Sequence, residues 1–238
     1  MQRLKEVNAD DNKIINISPR PIVVVADATF FSRAEGLLIF REPNLKQNLI
    51  WKEIHTETSG QYQQLKLELE SKGFAINAVV LDGRPGVREI FSNKPAQMCH
   101  FHQVAIVRRY LTSRPKLEAA QELMTIARQL TRSDEKYFSE LLIAWQNKWQ
   151  EFLKEKTINP FTGQWFYTHK RLRAAFRSLK NNLPYLFTYQ KYPELNIPNT
   201  TNSLDGYITT LKNFIRIHRG IRPEKRTKII NQILKPIP

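Results

Sequence analysis

The chain starts polar and then turns abruptly apolar. Residues 1–20, with Asp10-Asp11, read as a tail or linker. Pro21-Ile-Val-Val-Val-Ala-Asp27 follows, a β-branched run that stops at an aspartate. A run with no apolar–polar alternation predicts a strand covered on both faces. Residues 36–41 and 48–54 predict two more strands, making an antiparallel meander with the first, and Pro43 and Asn44 supply the turn between them. Thr58-x-x-Gln61 has the form of a capping box. Tyr62, Leu65 and Leu69 then recur at helical spacing, and Lys72-Gly73 ends the helix. Residues 74–81 predict a fourth strand, again followed by an acid, Asp82. Gly83-Arg-Pro-Gly86 is a turn, 97–102 the fifth strand or its exit, and a helix runs from about 102 to 111.

From about 116 to 183 the pattern is purely helical. Leu117, Ala120, Met124, Ala127 and Leu130 share one face. Phe138, Leu141, Leu142, Trp145, Trp149 and Phe152 share a second, and Leu172, Ala175, Phe176 and Leu179 a third. A last helix starts near Thr201 or Asn202, either of which can cap it. Its apolar stripe is Leu204, Tyr207, Ile208, Leu211, Phe214 and Ile215, and a basic tail runs from 217 to 238. Four segments result: a tail over 1–20, the first part of an α/β core over 21–114, a helical insertion over 115–197, and a helix that completes the core, with the basic tail, over 198–238.

Composition narrows the choice of partner. The net charge of +15 in 238 residues points to a polyanion, nucleic acid ahead of an anionic membrane. The 41% hydrophobic content suffices for one large core or a core with an insertion. Cys99 is the single cysteine, so no intrachain disulfide forms, which fits a reducing, cytoplasmic location near the nucleoid. The N-terminus is too polar for a signal peptide, and the apolar run at 22–25 is too short to span a membrane. No membrane partner is expected.

Asp27 and Asp82 each lie just past an apolar strand. If those strands are neighbours, both carboxylates project at one sheet edge, where a divalent cation would relieve their repulsion. Oxygen ligands favour Mg²⁺ or Mn²⁺. Asp205, on the polar face of the last helix, can close the site, and two such ions roughly 4 Å apart suit phosphodiester chemistry. Each aspartate taken alone also reads as an ordinary turn or cap residue. It is their order on a basic chain that favours the metal reading.

Four stretches carry a family resemblance: Val25-Ala-Asp27-Ala-Thr-Phe; Val80-Leu-Asp82-Gly-Arg; Gln97-Met-Cys99-His-Phe-His102-Gln; and Thr201-Asn-Ser-Leu-Asp205-Gly with Arg216-Ile-His-Arg-Gly220. In their order and spacing, from about 21 to 230, the chain resembles the mutator-like group of DDE transposases of bacterial insertion sequences. The resemblance implies an RNase H-like fold: an α/β domain with a mixed five-stranded sheet flanked by helices, interrupted by an all-α insertion before the third acid. It implies Asp27, Asp82 and Asp205 as catalytic, metal-binding acids for Mg²⁺ or Mn²⁺. It also implies hydrolysis at transposon ends, transfer of the freed 3′-hydroxyl into target DNA, and assembly as a homodimer or larger. Two departures stand out. The third acid of such enzymes is usually glutamate, and Glu194 and Glu224 lie off the matching motif. The relatives' front-end zinc ribbon or helix-turn-helix is not seen ahead of Asp27, so a catalytic fragment relying on another subunit is expected. The competing expectations are an inactive, DNA-binding derivative and an RNase H-like nuclease without strand transfer.

Cys99 and His102 form a C-x-x-H pair too small for a structural zinc site, which wants four ligands. The resemblance gives them a supporting role; a buried thiol with an ordinary histidine is the alternative. Lys170, Arg173, Arg177 and Lys180 share one helix face. These four, and Lys212, Arg216, Arg219 and Arg222, can track a phosphate backbone or simply face solvent. Trp145, Trp149 and Trp165 read first as helix core. Trp165, close to Gly163, is the candidate for stacking on an extruded base.

Overall fold

The computed structural model describes residues 18–33, 35–217 and 220–235, without the side chains of residues 85, 223 and 224. The tail reading therefore falls largely outside the described residues. Contacts divide the chain into two compact units. The first comprises the described residues up to Leu81, Pro85–Pro95, and those from Thr201 onward. The second comprises Asp82–Arg84 and Ala96–Thr200.

The sheet is mixed and five-stranded, in the order β3-β2-β1-β4-β5. Its strands are β1 (Pro21–Phe30), β2 (Gly36–Glu42), β3 (Gln47–Ile54), β4 (Ala75–Leu81) and β5 (Ala96–Met98). β2 pairs antiparallel with β1 and β3, whereas β4 runs parallel to β1. Val23, Val24 and Val25 of β1 are all buried. A strand covered on both faces has no polar side to display, which is why its sequence does not alternate.

The first unit also holds α1 (Ser59–Ser71), α2 (Pro85–Ile90), α8 (Asn202–Ile217) and α9 (Pro223–Leu234). At the start of α1 the Thr58 N–H donates to Gln61 Oε1 at 2.9 Å. The helix buries Tyr62, Leu65 and Leu69, and Gly73 just beyond it takes φ +86°, a region open to glycine at little cost. α8 buries Leu204, Ile208 and Leu211 and packs against β1.

The stretch expected to be a basic tail contains α9 instead. Pro223 starts it at a position where a missing N–H costs nothing, and Ile230, Asn231 and Leu234 are buried. Trp51 Nε1 donates to Asn231 Oδ1 at 2.8 Å, Asn48 Nδ2 to the Leu234 carbonyl at 3.2 Å, and the Tyr207 hydroxyl to the Ile233 carbonyl. Arg226 pairs with Glu35. The adjoining core includes a buried cation, Arg41, which donates to Asn48 Oδ1 at 2.7 Å and stands over the Tyr207 ring. Burial lowers its pKa; Tyr207 and Glu42 oppose that.

The second unit is built on α3 (His100–Leu111), α4 (Glu118–Gln129), α5 (Glu135–Lys154), α6 (Lys170–Leu186) and α7 (Thr188–Lys191), with short 3₁₀ turns at Leu130–Arg132 and Pro193–Leu195. Its core unites Leu123, Ala127, Phe138, Trp145, Leu172 and Leu179 among others. Leu117 sits at the N-cap of α4 and is exposed rather than on the buried face.

The insertion is not all-α, as the resemblance implied. β6 (Lys156–Ile158) and β7 (Trp165–Tyr167) form an antiparallel hairpin between α5 and α6. Thr157, Ile158 and the Trp-Phe-Tyr run are strand formers, and Asn159-Pro160 and Gly163, at φ +67°, turn the chain. The turn leaves Phe161 95% exposed.

Candidate active site

Asp27 lies in β1, opposite Ile39 of β2, and Asp82 follows the last residue of β4. In the parallel pair of β1 with β4, Val25 lies opposite Val80. Asp27 is two residues past Val25, within β1, and Asp82 is two residues past Val80, just beyond the end of β4. The pairing of β1 with β4 ends at Val25 and Val80, so each acid is two residues beyond it; β1 runs on to Phe30, so Asp27 is inside its strand rather than past its end as expected. Both residues are half-buried.

Each also serves its own backbone. Asp27 Oδ1 accepts from the Ala28 N–H at 2.9 Å. Asp82 Oδ1 accepts from the Arg84 N–H at 3.0 Å, an Asx turn completed by Gly83 at φ +92°. A side chain at position 83 would be strained in that conformation.

Asp205 lies in the first turn of α8, half-buried, between the buried Leu204 and Ile208. Its Oδ2 accepts from the Thr201 hydroxyl at 2.6 Å, and its N–H donates to the Thr201 carbonyl at 2.9 Å. Thr201, fully buried, stands just before the helix, and a carboxylate there also suits the helix dipole. Among the described residues, no group of three His, Cys, Asp or Glu side chains is gathered closely enough to hold a metal ion. The three acids are oxygen donors of the type that suits Mg²⁺ or Mn²⁺. Glu194 is exposed in the 3₁₀ turn Pro193–Leu195, and Glu224 lies in α9.

The Cys99–His102 segment is differently built from the strand expected there. β5 ends at Met98, Cys99 is the N-cap residue of α3, and His100, Phe101 and His102 begin that helix. His100 is fully buried, and its Nε2 lies 2.6 Å from the Leu186 carbonyl. That carbonyl, at the end of α6, also accepts from Gln97 Nε2 at 2.8 Å. Burial lowers the His100 pKa, with the Leu186 hydrogen bond opposing it; a carbonyl can only accept, so Nε2 donates in that bond. Cys99 is fully buried and His102 half-buried. His100 is the residue sequence reasoning passed over, although His100, Gln103, Val107 and Leu111 repeat at helical spacing.

Of the basic positions, Lys170, Arg177, Lys180, Lys212, Arg216 and Arg222 are exposed. Arg173 is engaged inside its unit: its guanidinium lies 3.6 Å from the Tyr167 ring centre and donates to the Leu153 carbonyl at 2.7 Å. Arg219 falls outside the described residues. Trp145 is core and Trp149 partly so. Trp165 is on the hairpin, 55% exposed, with Lys156 Nζ 3.9 Å from its ring centre.

Fold and geometry together define an α/β protein with a mixed five-stranded sheet, one acid within its central strand β1 and another just past β4. No family model matches the chain, and no curated protein matches it. No helix among the described residues is long and apolar enough to cross a membrane.

Proposed function

We propose that the chain is the catalytic domain of a DDE-type transposase with an RNase H-like fold, acting on DNA through Asp27, Asp82 and Asp205. The observation that supports this reading is the parallel pairing of β1 with β4 as far as Val25 and Val80, with one acid two residues further along each chain segment. The packing of α8, which bears Asp205, on β1 supports it further.

The acids would hold two Mg²⁺ or Mn²⁺ ions, which when bound would activate the attacking hydroxyl and stabilise the leaving oxygen at a transposon end. The Thr201 hydrogen bond to Asp205 Oδ2 would orient that carboxylate, as hydrogen bonds to ligating carboxylates commonly do. The Asp205 side chain is one methylene shorter than glutamate, and a shift of about 1 Å can cost about 100-fold in rate. The exposed Lys170, Arg177, Lys180, Lys212, Arg216 and Arg222 would take phosphates of the element's ends and target. A homodimer or larger assembly would bring two ends together.

A second reading, DNA binding without cleavage, is favoured by the shorter aspartate at position 205 where glutamate is usual. Metal-dependent nicking of supercoiled plasmid separates the two. The proposal expects nicking by the native chain, a loss of about 1,000-fold or more in Asp27→Ala, and nicking retained in Asp205→Glu. Nicking by Asp205→Glu alone would mean a real site in a decayed copy. Undiminished nicking by Asp27→Ala, or DNA binding with no nicking by any of the three, would sink the proposal. Joining of a labelled 3′-hydroxyl end to plasmid then distinguishes a transposase from a nuclease of the same fold.

A further inference from the structure

The second unit contains a cleft of about 580 Å³ between the end of α3, the loop that follows it, the start of α4 and the hairpin–α6 junction. Tyr110 and Phe166 supply aromatic surface, and Arg114, Lys116, Lys170 and Arg171 supply four permanent positive charges. No acidic side chain is among the described residues that line it. The nearest carboxylates in sequence, Glu118 and Glu122, both approach Lys148, at 3.4 and 2.5 Å, and Glu155 Oε2 lies 2.9 Å from His169 Nε2. The cations are therefore not neutralised from within the cleft.

Three details suggest a built site. Lys170 Nζ is held 3.8 Å from the Phe166 ring centre, and Arg171 donates to the Arg109 carbonyl at 2.8 Å, so two cations are positioned rather than trailing in solvent. His169, at the cleft wall, is stacked on Phe152 with ring centres 3.7 Å apart. Thr112, at the lip, is held at φ +71° and ψ 174°, a conformation nearly confined to glycine. Such strain in a β-branched residue persists where the surroundings over-determine it, commonly at ligand clamps.

We propose that this cleft receives one unpaired nucleotide of a nucleic-acid strand, its base against Tyr110 and Phe166 and its flanking phosphates on Arg114, Lys116, Lys170 and Arg171. The volume is within the range of about 300–1,000 Å³ usual for small-ligand sites, and a base still paired in a duplex cannot enter it. Aromatic faces accept any base, and single-signed charge fits the phosphates either side. A lipid headgroup offers the charge but no planar ring. The exposed Lys156, Trp165 and Phe161 of the hairpin continue the same basic–aromatic character along the unit. The inference shares with the proposed function a polynucleotide partner, but it needs none of the three acids, so binding and nicking can fail separately.

The test is fluorescence anisotropy with a labelled oligothymidylate, using the full chain. Arg114→Ala with Lys116→Ala should weaken binding about 10-fold at low salt and lower the slope of log affinity on log salt by about 1.4, at ~0.7 per phosphate contact. A charge-matched control elsewhere on the unit, Arg128→Ala with Lys136→Ala, should weaken it by less than about 2-fold. Tyr110→Leu should weaken binding roughly 5-fold or more, while an oligomer of abasic sites should bind the native chain and this variant alike. Equal losses in the cleft and control variants would overturn the proposal. So would a Tyr110→Leu loss that persists with the abasic oligomer, or a cleft-variant defect seen with phosphatidylserine vesicles and not with the oligonucleotide.

Discussion

In the first unit, Val25 and Val80 are set opposite each other by main-chain strand pairing. In the second, α3 and α6 meet through a polar seam: Gln103 Nε2 donates to Ser178 Oγ at 3.2 Å and Asn182 Nδ2 donates to Gln103 Oε1 at 2.8 Å. Register is a backbone property, and a single side chain rarely disturbs it, whereas a one-residue slip would turn every side chain to the other face. A seam of side chains has the opposite character. Each member is exchangeable in principle, but loss of one leaves a buried partner unsatisfied. The sheet unit should thus tolerate substitution along its paired strands better than the helical unit tolerates it along the α3–α6 seam.

The largest effect expected from this contrast is in the helical core. Phe138 is fully buried, with its ring centre 5.7 Å from that of Phe187. Phe138→Ala should cost about 3–5 kcal/mol. Hydrogen exchange should show lost protection in α3–α6 and retained protection in β1–β4. Equal loss in both would mean that the two units unfold as one, and the contrast would collapse. Next in size is Trp51→Phe, which removes the donor to Asn231 and leaves a buried carbonyl oxygen unmatched, at about 1–3 kcal/mol. Amides of α9 should exchange faster while β1–β4 pairing holds; unchanged exchange in α9 would show that this bond does not anchor the helix.

The smallest effect is one of pH. His100 has a folded pKa below its ordinary 6.5, so the unfolded chain binds the proton more readily. Its contribution to stability is complete above 6.5 and is lost as pH falls from there through the folded value, with a slope of at most about 1.4 kcal/mol per pH unit. Melting curves of the native chain and His100→Gln between neutral and mildly acidic pH should diverge in slope. Parallel curves would show that protonation of this ring is not coupled to folding.

The strands were legible because a run such as 22–26, buried on both faces, has no alternation to obscure it, and α1 because Thr58 and Gln61 mark its start. α9 was hidden: its first residues are Pro-Glu-Lys-Arg-Thr-Lys, and its buried contacts are few and include a polar one, Asn231. The hairpin was hidden because three-residue strands are too short to show a period of two. At the candidate site, Asp27 and Asp82 were readable as acids closing apolar runs. The hydrogen bond from Thr201 to Asp205 was not, since Thr201 read equally well as a simple cap. His100 was passed over because the fifth strand was carried past Met98, which hid the helical repeat of His100, Gln103, Val107 and Leu111.

The link from Trp51 to Asn231 spans 180 positions of sequence, which has a consequence for synthesis on the ribosome. The sheet unit cannot close until α8 and α9 have been made, whereas nearly all of the helical unit is the continuous stretch Ala96–Thr200. At about 5–20 residues per second, residues 201–234 take roughly 2–7 s to add. The helical unit thus has seconds in which to fold while β1–β4 still wait for their covering helices. Those uncovered strands are where a chaperone would be expected to bind the nascent chain, and Asp205 is the last of the three acids to arrive.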